Sequence, residues 1–149
     1  MRPATQLLRQ NWLGYAIAPI VLLALTGCGL YGGHGTAAQV VRVTERDFKI
    51  SAPKHVRAGD VVLKVGNHGP DHHELIVVRI GRSPLPFRTD GMTIDEDAVR
   101  RRTVGALDPA GAGATRSLRL RLAPGRYVIF CNMSGHYLGG MHRTLVVGR

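Results

Sequence analysis

The chain has 149 residues, enough for one domain of ordinary size, and carries 20 Lys+Arg against 10 Asp+Glu, a formal charge of +10. Its basic residues are mostly arginines spread singly along the chain, with one cluster at Arg100–Arg102. That spread argues for a solvated basic surface rather than a nucleic-acid footprint, and two cysteines, Cys28 and Cys131, allow at most one disulfide.

Residues 1–27 read as a removable leader. Arg2 and Arg9 form a short basic region, and Trp12 to Gly27, "WLGYAIAPIVLLALTG", is an apolar run of 16 residues. A spanning helix needs roughly 20, so this run suits a signal-peptide core. It ends in "LTGC", Leu25 to Cys28. The ending resembles the lipobox of bacterial lipoproteins, in which the cysteine is acylated and becomes the first residue. The resemblance implies that Cys28 carries lipid and that the domain is held to the cell membrane, outside the cytoplasm. Cys131 then has no partner in the chain, and a lone thiol in an oxidising compartment calls for an occupant. Residues 28–39 are small and glycine-rich and read as a flexible tether.

Residues 40–149 read as one all-β domain. From Val40 the hydrophobic period is two: "VVRVTERDFKI" alternates around a bend near Glu45–Asp47, and "VRAGDVVLKVGN" turns at Ala58–Asp60. "HELIVVRI", His73 to Ile80, is nearly all apolar and reads as a buried strand. "RSLRLRLA" alternates arginine with Leu118, Leu120 and Leu122, "PGRYVIFC" follows a turn at Pro124–Gly125, and "HRTLVVGR" closes the chain. His55 falls in a surface turn by pattern, and Tyr127 in the core. Short strands separated by turn signals predict a β-sandwich or barrel.

Residues 81–115 break this pattern and read as a long connection with one short helix. Thr93 and Glu96 have capping-box spacing, acids at 95–97 fill the first turn, Arg100–Arg102 the last, and Gly105 would end it. "DPAGAGA" after it reads as loop.

The chemistry concentrates in "FCNMSGHYLGGMHRTLVV", Phe130 to Val147. Cys131, His136 and Met141 follow one another as C-x4-H-x4-M at the end of a strand. Gly135, Gly139 and Gly140 allow the loop to fold back so that all three side chains meet. Thiolate, imidazole and a weak thioether make a copper donor set, and a second histidine is wanted from another strand end. The candidates are His68, His72 and His73.

Two segments resemble the cupredoxins, the type 1 (blue) copper proteins: "N-x-G-x-x-x-H-E-L", Asn67 to Leu75, and "C-x-x-x-G-H-x-x-x-G-M", Cys131 to Met141. The resemblance covers about residues 40–149. It implies a cupredoxin-like Greek-key sandwich and one copper ion per chain, cycling between Cu(I) and Cu(II). Its ligands would be His73, Cys131, His136 and axial Met141. Alternation also puts His73 on one face with Leu75 and Val77, and His72 on the other. Glu74 departs from the pattern: many blue copper proteins have Asn or Ser there, bonding near the thiolate. His34 and His142 are expected at the surface, and Met133 has no role in the pattern.

The resemblance implies an electron carrier working with redox protein partners, monomeric, without nucleic acid. An enzyme is not expected. A binuclear centre needs two cysteines in this loop, and copper oxidases or nitrite reductases need histidines flanking the cysteine, where this chain has Phe130 and Asn132. The competing reading is a copper storage or delivery lipoprotein.

Overall fold

The computed structural model describes residues 37–149; the leader, Cys28 and His34 lie outside the described residues. Among the described residues nine strands form two sheets: β1 (Gln39–Arg46), β2 (Lys49–Ser51), β3 (His55–Arg57), β4 (Gly59–Asn67), β5 (His73–Ile80), β6 (Thr103–Ala110), β7 (Thr115–Leu122), β8 (Gly125–Phe130) and β9 (His142–Gly148). One sheet runs β2-β1-β4-β7 and the other β3-β9-β8-β5-β6. The β1–β4 and β3–β9 pairs are parallel and the rest antiparallel.

Alternation decides which side chains enter the sandwich. In β7 the arginines at 119 and 121 face water while Leu120 and Leu122 are buried. β5 is buried on both faces. Leu75 and Val77 join the core between the sheets, with Leu63, Val65, Ile129 and Leu145. Ile76 and Val78 point the other way, into a second core with Leu85, Ile94, Val99 and Phe130. The connection from 81 to 102 is the lid of that second core, which is why the β5 sequence is apolar almost without interruption. Among the described residues, the two cores run from Val41 to Val147.

The short helix expected in the 81–115 connection is present, and three details are corrected: its cap, the reading of Gly105 and 108–110, and the setting of His55. The helix is a single turn, α1 (Glu96–Val99), continued by a 3-10 turn at Arg100–Arg102. Its cap is Asp95, which accepts from Ala98 N, rather than Thr93. Thr93 instead hydrogen-bonds Asp90. Gly105 and residues 108–110 lie in β6, not in a helix end and loop, because the backbone from Thr103 pairs with β5. Gly105 sits where a Cβ would meet Leu120 at 2.6 Å, so β6 passes close over the facing sheet. His55 is exposed, as expected, but in β3 rather than a turn. The first strand opens at Gln39. Tyr127 is core, and its hydroxyl donates to Ala123 O.

Candidate metal centre

β5 and β8 lie side by side and antiparallel, with Ile76 opposite Phe130. The start of one and the end of the other therefore fall at the same end of the sandwich. His73 opens β5 on the face of Leu75 and is fully buried. Asn67 fixes the approach to it: its amide donates to Asp71 O and Ala110 O, and its Oδ1 accepts from Gly69 N.

Cys131 follows β8 directly and is fully buried in the main core. The segment after it coils into successive turns, His136 N to Met133 O, Gly139 N to Gly135 O and Gly140 N to Tyr137 O. Gly135 and Gly140 take positive φ, 78° and 105°, a conformation glycine enters without strain. Met141 closes the loop. Its N donates to His136 O at 2.9 Å, and its carbonyl accepts from Cys131 N at 3.1 Å. The Met141 side chain is buried in the same core as Cys131.

These turns bring His136 Nδ1 to 3.4 Å from Cys131 Sγ. One donor atom each from His73, Cys131 and His136 lies within 4.8 Å of the others. The two imidazoles meet edge to face, centroids 5.2 Å apart. The other candidates lie elsewhere: His68 and His72 are exposed, and His72 packs beside Gly111. His142 is exposed and stacks on Tyr137.

His73 Nδ1 is buried with no hydrogen-bond partner. A buried polar atom without a partner is costly. A metal ion among the three donors would satisfy it, so the residues fit such an ion. Burial holds the His73 pKa below its ordinary value, against an opposing hydrogen bond to Asp47, and so favours the neutral form that a metal ligand needs. Burial also pushes the Cys131 thiol up, while the backbone amides of Met133 and Glu74 pull it down by favouring the thiolate.

Several residues around these donors carry no signal in sequence alone. The β1–β2 turn overhangs the site. Asp47 Oδ1 lies 3.1 Å from His73 Nε2, and the Phe48 ring meets His136 edge-on at 5.4 Å. Phe48 has φ 58°, an uncommon backbone state for a bulky residue, and it packs where a Cβ on Gly139 would stand 2.2 Å from its ring. Glu74 accepts from Asn132 N, and the Asn132 side chain bonds Ile94 and Glu96. The position after the histidine therefore clamps the position after the cysteine. Burial, with Glu96 nearby, raises the Glu74 pKa. Behind them the buried Glu45 pairs with Arg116 at 2.6 Å.

No family model matches the chain, and no curated protein sequence does. Solved structures do. Reduced auracyanin from the photosynthetic bacterium Roseiflexus castenholzii aligns with a TM-score of 0.57 at 20% identity, over 76% of this chain and 99% of that one. Auracyanin A, a "blue" copper protein from Chloroflexus aurantiacus, aligns at 0.54 and 18%, over 73% and 98%. An azurin from Methylomonas sp. strain J aligns at 0.54 and 16%, over 76% and 100%. The fold of the chain is the cupredoxin β-sandwich. These alignments take in 98% or more of each of those chains and about three quarters of this one.

Proposed function

We propose that His73, Cys131, His136 and Met141 hold one copper ion, and that the domain is an electron carrier tethered through Cys28 outside the cytoplasmic membrane. The observation that carries this is the convergence of one ring nitrogen of His73, whose Nδ1 is buried without a partner, with the Cys131 sulfur and a ring nitrogen of His136 at one end of a sandwich shared with blue copper proteins. Bound copper supplies one-electron chemistry, with a potential set by the axial ligand and by the environment of the thiolate.

The chain's own residues supply the rest. Backbone bonds from Met141 to both Cys131 and His136 fix the ligand loop at its two ends, so the donors have little room to move between oxidation states. The main core excludes water from Cys131 and His73. Half-buried His136 is the donor nearest solvent; exposed Phe48 packs edge-on against it, exposed Met92 lies beside Gly135, and exposed Leu138 follows two residues later. Small apolar contacts of this kind suit brief docking of redox partners. Burial of His73 and Cys131 favours retention of the ion over delivery. Among the described residues no helix is long and apolar enough to cross a membrane; the proposed attachment through Cys28 is supported by the sequence "LTGC" at 25–28.

The test is voltammetry of the copper-loaded 29–149 fragment, paired with lipid labelling of the full chain. A reversible one-electron wave, and label lost in Cys28→Ala, are expected. An irreversible or absent wave overturns the carrier reading, and label persisting in Cys28→Ala overturns the anchor.

A further inference from the structure

The end of the sandwich opposite the donor cluster carries an open groove of about 590 Å³. Four arginines line it: Arg79 at the end of β5, Arg101 and Arg102 of the 3-10 turn, and Arg121 in β7. Between His73 and Ile80, β5 advances about 23 Å at ~3.3 Å per residue, which separates the groove from the site. Arg121 has one acidic neighbour, Asp60 at 3.7 Å. Arg79, Arg101 and Arg102 form no ion pair among the described residues. Arg79 donates to Pro124 O, and Arg102 is half-buried yet uncompensated. Like charges gathered without counter-charge repel one another, so the groove is stabilised by an anion.

The course of the chain says which anion. The domain begins beside the groove: Ala38 lines a neighbouring depression together with Asp60, Arg119 and Arg121. Arg57 N donates to the Gln39 side chain, and Arg57 and Arg149 flank Ala37. The 36 residues ahead of Ala37 include the apolar run 12–27 and Cys28. With a lipid on Cys28, the eight residues from Gly29 to Thr36 span at most about 29 Å fully extended. The tether thus leaves the domain at its arginine end.

We infer that Arg79, Arg101, Arg102 and Arg121 form a docking surface for the phosphate groups of anionic membrane lipids. The domain then rests on the bilayer by its arginine end and turns His136 and its apolar rim toward soluble partners. The inference rests on the anchored reading above for its geometry. Its test does not, because the fragment 29–149 lacks Cys28.

The experiment is co-sedimentation of that fragment with vesicles of phosphatidylcholine alone, or of phosphatidylcholine mixed with phosphatidylglycerol, across a salt series. Binding is expected only to the anionic vesicles and should fall as salt rises. Each arginine at the surface contributes roughly fivefold in affinity, so Arg101→Gln with Arg121→Gln should weaken binding about 30-fold. Both side chains are exposed, and the unfolding midpoint should hold. Arg46→Gln with Lys49→Gln, at the opposite end, should leave binding nearly unchanged. Equal losses in the two pairs would show diffuse net charge and overturn the surface. So would failure to bind anionic vesicles, or salt-insensitive binding to neutral ones. Displacement by inorganic phosphate, beyond that by chloride at matched ionic strength, would make the groove a small-anion site and overturn the lipid assignment.

Discussion

Asp47 places its carboxylate 3.1 Å from the Nε2 of His73, a residue 26 positions further along the chain and completely buried. With Nε2–H donating to Asp47, the ring's acceptor lone pair is on Nδ1, the atom left without a partner beside Cys131 and His136. Asp47 is a positioning residue that selects tautomer and ring orientation. Gly69 makes the approach possible, since a Cβ there would stand 2.5 Å from Asp47 Oδ1 and 3.2 Å from His73 Nε2.

Asp47→Ala should therefore weaken copper binding by about 10- to 100-fold, the usual effect of losing such a partner. Asp47→Asn keeps an acceptor oxygen and should lose less. Gly69→Ala should imitate Asp47→Ala. The measurement is copper affinity by competition with a chelator, read beside the unfolding midpoint of the metal-free protein. Equal affinities in wild type and Asp47→Ala would remove the role.

Met141→Leu should keep a coloured site and raise the reduction potential, because losing a weak donor to Cu(II) favours Cu(I). Met141 is buried in the core beside Cys131, and Leu is close to it in volume, so the cost in stability should stay below about 1.5 kcal/mol. Voltammetry of the variant decides it. An unchanged potential would show that the thioether does not approach the metal.

Leu138 is exposed in the ligand loop, two residues after His136. Leu138→Lys should slow bimolecular electron exchange while leaving the visible spectrum and potential nearly unchanged. Stopped-flow exchange with a small acidic redox protein reads the rate. If Leu138 only packs the loop, spectrum and rate will shift together; an unaltered rate would move electron entry to another surface.

The Glu45–Arg116 pair gives a pH signature. Burial raises the Glu45 pKa above 4.5, and Arg116 opposes the rise. Removing Arg116 leaves a buried carboxylate without its cation, a cost of about 3–5 kcal/mol while Glu45 is ionised. That cost is fully present above the raised folded pKa and is lost as pH falls through it, because the neutral acid needs no cation. Denaturant melts of Arg116→Met against wild type should therefore show a large deficit where Glu45 is ionised and a shrinking one as the pH is lowered through its raised folded pKa. A deficit independent of pH would assign Arg116 to packing alone. Glu45→Gln in the same background should restore most of the loss.

Sequence carried the parts of the fold that period two encodes. Leu118, Leu120 and Leu122 alternate with arginines, and that pattern fixes the face of β7 without any neighbour. It could not place β6. "TVGALDPA" contains Gly105 and Pro109, which read as terminator and loop, and only pairing with β5 makes it a strand. The short helix was legible, but its ends were placed too far out. Asp95 to Arg102 has helical charge order, but Val99 alone of those residues is buried, and one apolar anchor holds one turn. At the site, the spacing of Cys131, His136 and Met141 was legible because a single loop delivers all three. His73 needed the alternation of β5. Asp47 and Phe48 were not legible, since their approach to the two histidines is made by the β1–β2 hairpin crossing the end of the other sheet. Glu74 was read as a departure, and its hydrogen bond to Asn132 N shows what it does instead.

The most direct test of the account is the visible absorption spectrum of the 29–149 fragment titrated with Cu(II), beside Cys131→Ser. One ion per chain should produce an intense thiolate-to-copper band that saturates at one equivalent and bleaches on reduction. Cys131→Ser, with its unfolding midpoint showing an intact fold, should have no such band. A band that survives the substitution, or a wild type that takes up copper without colour, would contradict the assignment of Cys131 as the thiolate of a copper centre.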